Sequence, residues 1–183
     1  TPQETHMKDS IASKFAYAAA AFFFVGLIVS IGMRPPEGFE GVPPLSVVLT
    51  TVAFLIYHLA MLPVIAALPS PSWAKGSGFA WIVVDNMLNM LSFFGEGSEF
   101  VTPLRWGVHL ATATWILGAS WSQRGAFRWV GVLVTLALSG ITLVGPFLNR
   151  KSVPQSLGPA ALLFIVWIVM AGRQLGKSEA VTQ

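Results

Sequence analysis

Hydrophobic residues gather in six long blocks along this chain, and the joints between them are short and rich in proline, glycine and charge. The blocks run 15–33, 45–68, 79–94, 104–121, 129–148 and 160–175. A hydrocarbon layer of about 30 Å takes roughly 20 helical residues to cross, so these lengths predict six transmembrane helices. Joints such as Arg34-Pro35-Pro36, Pro69-Ser70-Pro71-Ser72 and Ser122 to Arg128 supply the helix stops. The predicted fold is all-α, a polytopic transmembrane helical bundle forming one integral membrane domain over 1–183. The third block is short and the most polar of the six. It reads either as a full span or as a re-entrant or interfacial segment, and the second reading would invert the topology after it.

Polar side chains inside the blocks recur at helical spacing. Trp81, Asp85, Asn89 and Ser92 share one face of the third helix, Arg105, His109 and Thr112 one face of the fourth, and Thr135, Ser139 and Thr142 one face of the fifth. The second helix adds Thr51 and His58. Polar faces in a bilayer turn away from lipid, so the four stripes predict a shared polar interior. Counted from the predicted inner ends at the helical rise, His58, Asn89 and Ser139 lie at roughly 15 Å, His109 at roughly 18 Å and Asp85 at roughly 9 Å. The candidate ligand-binding residues are therefore His58, Asp85, Asn89, His109 and Ser139. Asn86, like Asn89, reads equally as interhelical glue or as a ligand contact. Arg105 sits about 15 Å above Asp85 on the same count and is expected near the outer mouth with Glu96 and Glu99. Asp85 would then have no buried cation at its level, and desolvation would penalise its charge.

Composition confirms the solvent. Hydrophobic residues make up 54% of the chain and charged ones 10%, against roughly 25% charged in an average soluble domain. The eleven basic residues give a net charge of +3. They are scattered through joints and ends without a basic patch, which points to topology rather than to nucleic acid. The absence of cysteine removes disulfides, thiolate metal sites and haem attached through CxxCH. With a cytoplasmic N-terminus, Lys8, Lys14, Lys75, Arg124, Arg128, Arg173 and Lys177 fall inside and Arg34, Arg105, Arg150 and Lys151 outside, seven against four. Both termini are expected in the cytoplasm, in a multi-pass plasma-membrane protein. The first apolar run lacks a small-residue cleavage site and reads as an uncleaved anchor.

The first helix carries Ala12, Ala16 and Ala20 at every fourth position, with Gly26 and Ser30 further along. Such a face lets another helix approach closely, and it predicts either intramolecular packing or a surface for a membrane-protein partner or a second copy. The spacing resembles that in the first helix of the substrate-binding subunits of energy-coupling-factor vitamin transporters, six-helix proteins of about this size. That resemblance implies a solute-binding bundle with a docking face.

No HExxH, phosphate-binding glycine loop or acidic pair suited to metal and phosphate occurs. Ser139-Gly140 resembles the serine site of intramembrane rhomboid proteases, but Ala137 stands where that family has glycine, and no histidine follows on the sixth helix. Enzyme activity is left open. Three function classes remain. One is a small-molecule or ion binding and transport protein built on the midplane residues. Another is a redox subunit in which His58 and His109 ligate one haem b beside a quinone. The last is a non-catalytic accessory or scaffold subunit of a larger membrane complex.

Overall fold

The computed structural model describes residues 2–33, 39, 41–95, 98–144, 147 and 153–180, with side chains described for 11–33, 39, 41–95, 101, 103–144, 147 and 158–177. Its six helices are α1 (Pro2–Met33), α2 (Leu45–Ala67), α3 (Ser72–Phe93), α4 (Ser98–Trp121), α5 (Ala126–Val144) and α6 (Val153–Ala180). Four of them contain stretches long and apolar enough to cross a membrane: Ile11–Met33, Leu45–Ala67, Ala126–Val144 and Gly158–Lys177. This is the architecture of an integral membrane protein. The other two helices, α3 and α4, are comparable in length to α2 and α5 but carry Lys75, Asp85, Asn86, Asn89, Arg105 and His109.

The departure from the expected boundaries that bears on the site is at α3, which starts at Ser72 rather than 79. Pro71 sits before it with extended backbone (φ −57°, ψ 150°), and a proline there suits a helix start because its missing N–H costs nothing in the first turn. The polar, glycine-bearing run after it looked like loop. Tertiary contacts hold it as helix. Lys75 Nζ donates to the Ala66 carbonyl at 2.6 Å and so satisfies a free C-terminal acceptor of α2. Ser77 Oγ donates to the Ala111 carbonyl on α4 at 2.9 Å. Gly78 lies where an added Cβ would come within 2.8 Å of the Trp115 ring, so glycine is what lets α3 and α4 close up here.

Each helix packs against its neighbours in sequence, and α1 closes the series against α6, giving a ring in chain order. The α1–α6 seam uses the small-residue face: Ala12, Ala16 and Ala20 are all buried, Ser13 Oγ donates to the Gly172 carbonyl at 2.8 Å, and a Cβ on Gly172 would stand 3.2 Å from that of Ala16. Of the two uses expected of this face, packing against the chain's own helices is the one seen at Ser13 and Ala16.

Aromatic side chains from all six helices fill the middle of the ring. Phe23 of α1 packs on Tyr57 of α2 and Phe164 of α6 with centroids 4.9 and 5.4 Å apart. Trp81 of α3 stacks on Trp115 of α4 at 5.9 Å, Trp115 meets Trp167 of α6 edge-on at 5.1 Å, and Trp167 stacks on Phe127 of α5 at 5.5 Å. These offset and edge-on arrangements are the favourable ones for aromatic pairs. Trp81, Trp115 and Trp167 therefore plug the centre. Outside, Ile28, Val83, Met87, Leu133, Leu136 and Leu162 stay exposed, as residues facing hydrocarbon do. Trp73, Trp121 and Trp129 are exposed near helix ends in the belt expected of them.

Candidate functional site

The polar stripes of α2, α3 and α4 meet directly above the aromatic plug. His58 of α2 is almost wholly buried, and its ring lies 4.6 Å from that of Tyr57 and 5.4 Å, edge-on, from that of Trp81. Both of its nitrogens face α3. Nδ1 is 3.0 Å from Asn86 Oδ1, and Nε2 is 3.1 Å from Asp85 Oδ2. The other carboxylate oxygen of Asp85 faces Arg105 Nε of α4 at 3.2 Å. The arginine then donates through Nη2 to Asn89 Oδ1 at 2.7 Å. One carboxylate on the middle helix is held between a base from each flanking helix, and two amides on its own helix complete the set.

The two ion-pair contacts are close but not aligned: His58 Nε2, Asp85 Oδ1 and Arg105 Nε make no hydrogen bond of good geometry. His109 lies one turn beyond Arg105 on the same face of α4, within the electrostatic reach of both Asp85 and Arg105, and its Nδ1 is buried without a partner. Tyr57 sits close enough to feel the charge of Asp85.

Four of the five expected site residues, His58, Asp85, Asn89 and His109, are therefore gathered around one carboxylate. Ser139 is not joined to them. It is half-buried on α5, which packs against α4 and α6, and among the described residues no hydrogen bond or ion pair links it to the cluster. The α5 hydroxyls that do reach α4 are Thr135, to the Ala113 carbonyl at 3.3 Å, and Thr142, to the Trp106 carbonyl at 2.9 Å. Both also bond their own preceding turn, which is the ordinary use of a threonine in a membrane helix.

The expectation that Asp85 lacks a cation at its level fails, and the α3 boundary explains why. Counting from Ser72 places Asp85 at about 20 Å and Arg105, counted from Trp121, at about 24 Å, a gap that an arginine side chain spans. Glu96, and the side chain of Glu99, lie outside the described residues. Sequence reasoning thus missed Arg105 as a site residue and left Asn86 open between interhelical glue and a ligand contact. The signal for Arg105 was its position one turn from His109; Asn86 adjoins Asp85, and at that spacing only the position of α2 decides which residue meets His58.

Among the described residues no three or more His, Cys, Asp or Glu side chains stand together as a set able to hold a metal ion. Both nitrogens of His58, one of the two expected haem ligands, face oxygens of α3 at 3.0 and 3.1 Å. No protein-family model, curated protein or solved structure matches this chain.

Proposed function

We propose that this chain binds and translocates a small ion across the plasma membrane, with both termini cytoplasmic. The proton is the ion its interior handles, and His58 with Asp85 is the site. The observation that carries the reading is the placement of the His58 ring between the Asp85 carboxylate and the Asn86 amide, at 3.1 and 3.0 Å.

Imidazole exchanges its proton near neutral pH when unperturbed, and a membrane-buried acid–base pair is the usual marker of a proton path. The amide suits both protonation states of the ring. With Oδ1 towards Nδ1, that nitrogen is the one that carries hydrogen, and the ring is a neutral tautomer or an imidazolium according to whether Nε2 is protonated as well. A half-turn of the Asn86 side chain presents its NH2 instead, and a neutral ring then accepts at Nδ1 while keeping its Nε2 proton towards Asp85. His58 can gain or lose a proton at Nδ1 without losing its partner. Asp85 and Arg105 meanwhile keep the remaining charges paired, which lowers the cost of holding them in the bilayer. The aromatic plug beneath His58 seals that side against a continuous water column, so release of the proton in that direction requires Tyr57 and Trp81 to shift.

The test is proton flux in proteoliposomes carrying an internal pH dye, driven by a potassium diffusion potential. The wild-type chain is expected to acidify vesicles faster than protein-free controls, with Asp85→Asn and His58→Gln returning the rate to background and Asn86→Leu slowing it. A wild-type rate equal to that of protein-free vesicles would overturn proton translocation and leave an accessory-subunit role in its place.

A further inference from the structure

The acceptors and donors of the cluster are unevenly used. Both carboxylate oxygens of Asp85 face bases, Oδ1 of Asn86 faces His58, and Oδ1 of Asn89 accepts from Arg105. Most of the remaining capacity is on groups that can donate, the exception being Asp85 Oδ1, which also lacks an aligned partner. Asn89 Nδ2, the Tyr57 hydroxyl and His109 Nδ1 are buried with no partner, and so is Arg105 Nε, whose N–H is not directed along its 3.2 Å approach to Asp85. Asn89 and Tyr57 are both more than nine-tenths buried. An unmade hydrogen bond on a buried donor is costly, and several such groups around one carboxylate suit an acceptor that is not part of the chain.

Charge points the same way. Arg105 carries a fixed positive charge, His58 and His109 each add one when protonated, and Asp85 is the one carboxylate facing them among the described residues. A cation entering here would meet a guanidinium, and the two oxygens of Asp85 already have a basic side chain at 3.1 and 3.2 Å. An anion would meet donors. The side chains of Arg105 and Asp85 are 34% and 19% exposed, so the arginine edge is the side from which a solute reaches the cluster.

We propose that a small carboxylate or comparable oxyanion binds between Arg105, Asn89 and His109, as the co-substrate of the proton site. Its oxygens accept from Arg105 Nε and Asn89 Nδ2 on one side and from His109 Nδ1, in the tautomer or charge state that carries hydrogen there, on the other. The co-substrate role rests on the proton-translocation reading above; the binding itself does not.

Purified full-length chain in phosphatidylcholine nanodiscs, free of anionic lipid, is titrated with formate and acetate at constant ionic strength against gluconate. Binding is read by tryptophan emission, since Trp81 adjoins His58 at 5.4 Å, and by the thermal unfolding midpoint. The wild type is expected to respond saturably. Arg105→Gln weakens binding about tenfold or more, the worth of one charged hydrogen bond. Asp85→Asn strengthens binding, because it removes the competing carboxylate. Asn89→Asp abolishes it by placing a tethered carboxylate beside Arg105, with the unfolding midpoint reporting that the variant is folded. Absence of a saturable response in the wild type overturns the proposal, as does Asp85→Asn weakening binding in step with Arg105→Gln. Proton flux without anion binding removes this inference alone, whereas anion binding without proton flux removes the translocation reading alone.

Discussion

Replacing Arg105 with Gln tests whether the cluster is one energetic unit. At 3.2 Å the attraction between guanidinium and carboxylate is about 5 kcal/mol at an effective dielectric of 20 and about 1.3 kcal/mol in bulk water. Arg105 is 34% exposed, which favours the lower half of that span, or roughly 2 kcal/mol. The charged hydrogen bond to Asn89 adds roughly 1.5 kcal/mol, so Arg105→Gln is expected to cost about 2–4 kcal/mol. Asp85→Asn alone leaves Arg105 partly hydrated and is expected to cost about 1–2 kcal/mol. In the double variant neither charge is orphaned, and its loss is expected to fall short of the sum by about 1–2 kcal/mol. The measurement is a double-mutant cycle on reversible unfolding in mixed micelles. Additivity within about 0.5 kcal/mol, the range of independent sites, would refute the pairing of Asp85 with Arg105.

Gly131 packs so closely against Ser120 that an added Cβ collides with its hydroxyl, the acceptor of Trp167 Nε1 at 2.8 Å; Gly131→Ala should cost about 1–3 kcal/mol, partly restored by Ser120→Gly, and an unchanged unfolding midpoint would count against this seam. Ser13→Ala removes the bond to the Gly172 carbonyl and should cost about 0.6 kcal/mol, the average for hydrogen bonds within membrane proteins; a loss of several kcal/mol would mean that α1 is held to α6 by this one bond rather than by its alanine face. For topology, a C-terminal fluorescent-protein fusion should glow and a C-terminal alkaline phosphatase fusion should be inactive, and the reverse pattern would place the C-terminus outside.

The helix count was legible because hydrocarbon imposes a minimum apolar length, and four of the six helices meet it without help from tertiary contacts. His58, Asp85, Asn89 and His109 were legible for a related reason: polar groups on one helical face have nowhere to point but inward. What could not be read was anything set by helix–helix contact. The first turns of α3 look like loop until Ser77 and Gly78 are seen against α4, and that misplaced start moved Asp85 away from Arg105. Ser139 shares a face with Thr135 and Thr142, yet the ring order directs that face to α4 and away from α2. The alanine face of α1 was read correctly as a close-packing surface, but only the fold could say that α6 fills it.

The ion pair also bears on how α3 and α4 belong to the bundle at all. Neither is among the four helices apolar enough to cross alone, and a lone Asp or Arg at the centre of a transmembrane helix costs about 2.5–3.5 kcal/mol on insertion scales. Asp85 lies about 12 Å from the end of α3 and Arg105 about 10 Å from the start of α4, so a hairpin of the two helices brings the charges to one level. Their attraction of roughly 2 kcal/mol, with the amide and imidazole contacts, offsets much of that cost. The contact that makes the site therefore also makes the hairpin tolerable in lipid. For that reason Asp85→Asn and Arg105→Gln should disturb insertion less together than Arg105→Gln does alone, since the single variant leaves the Asp85 charge without its partner in the bilayer.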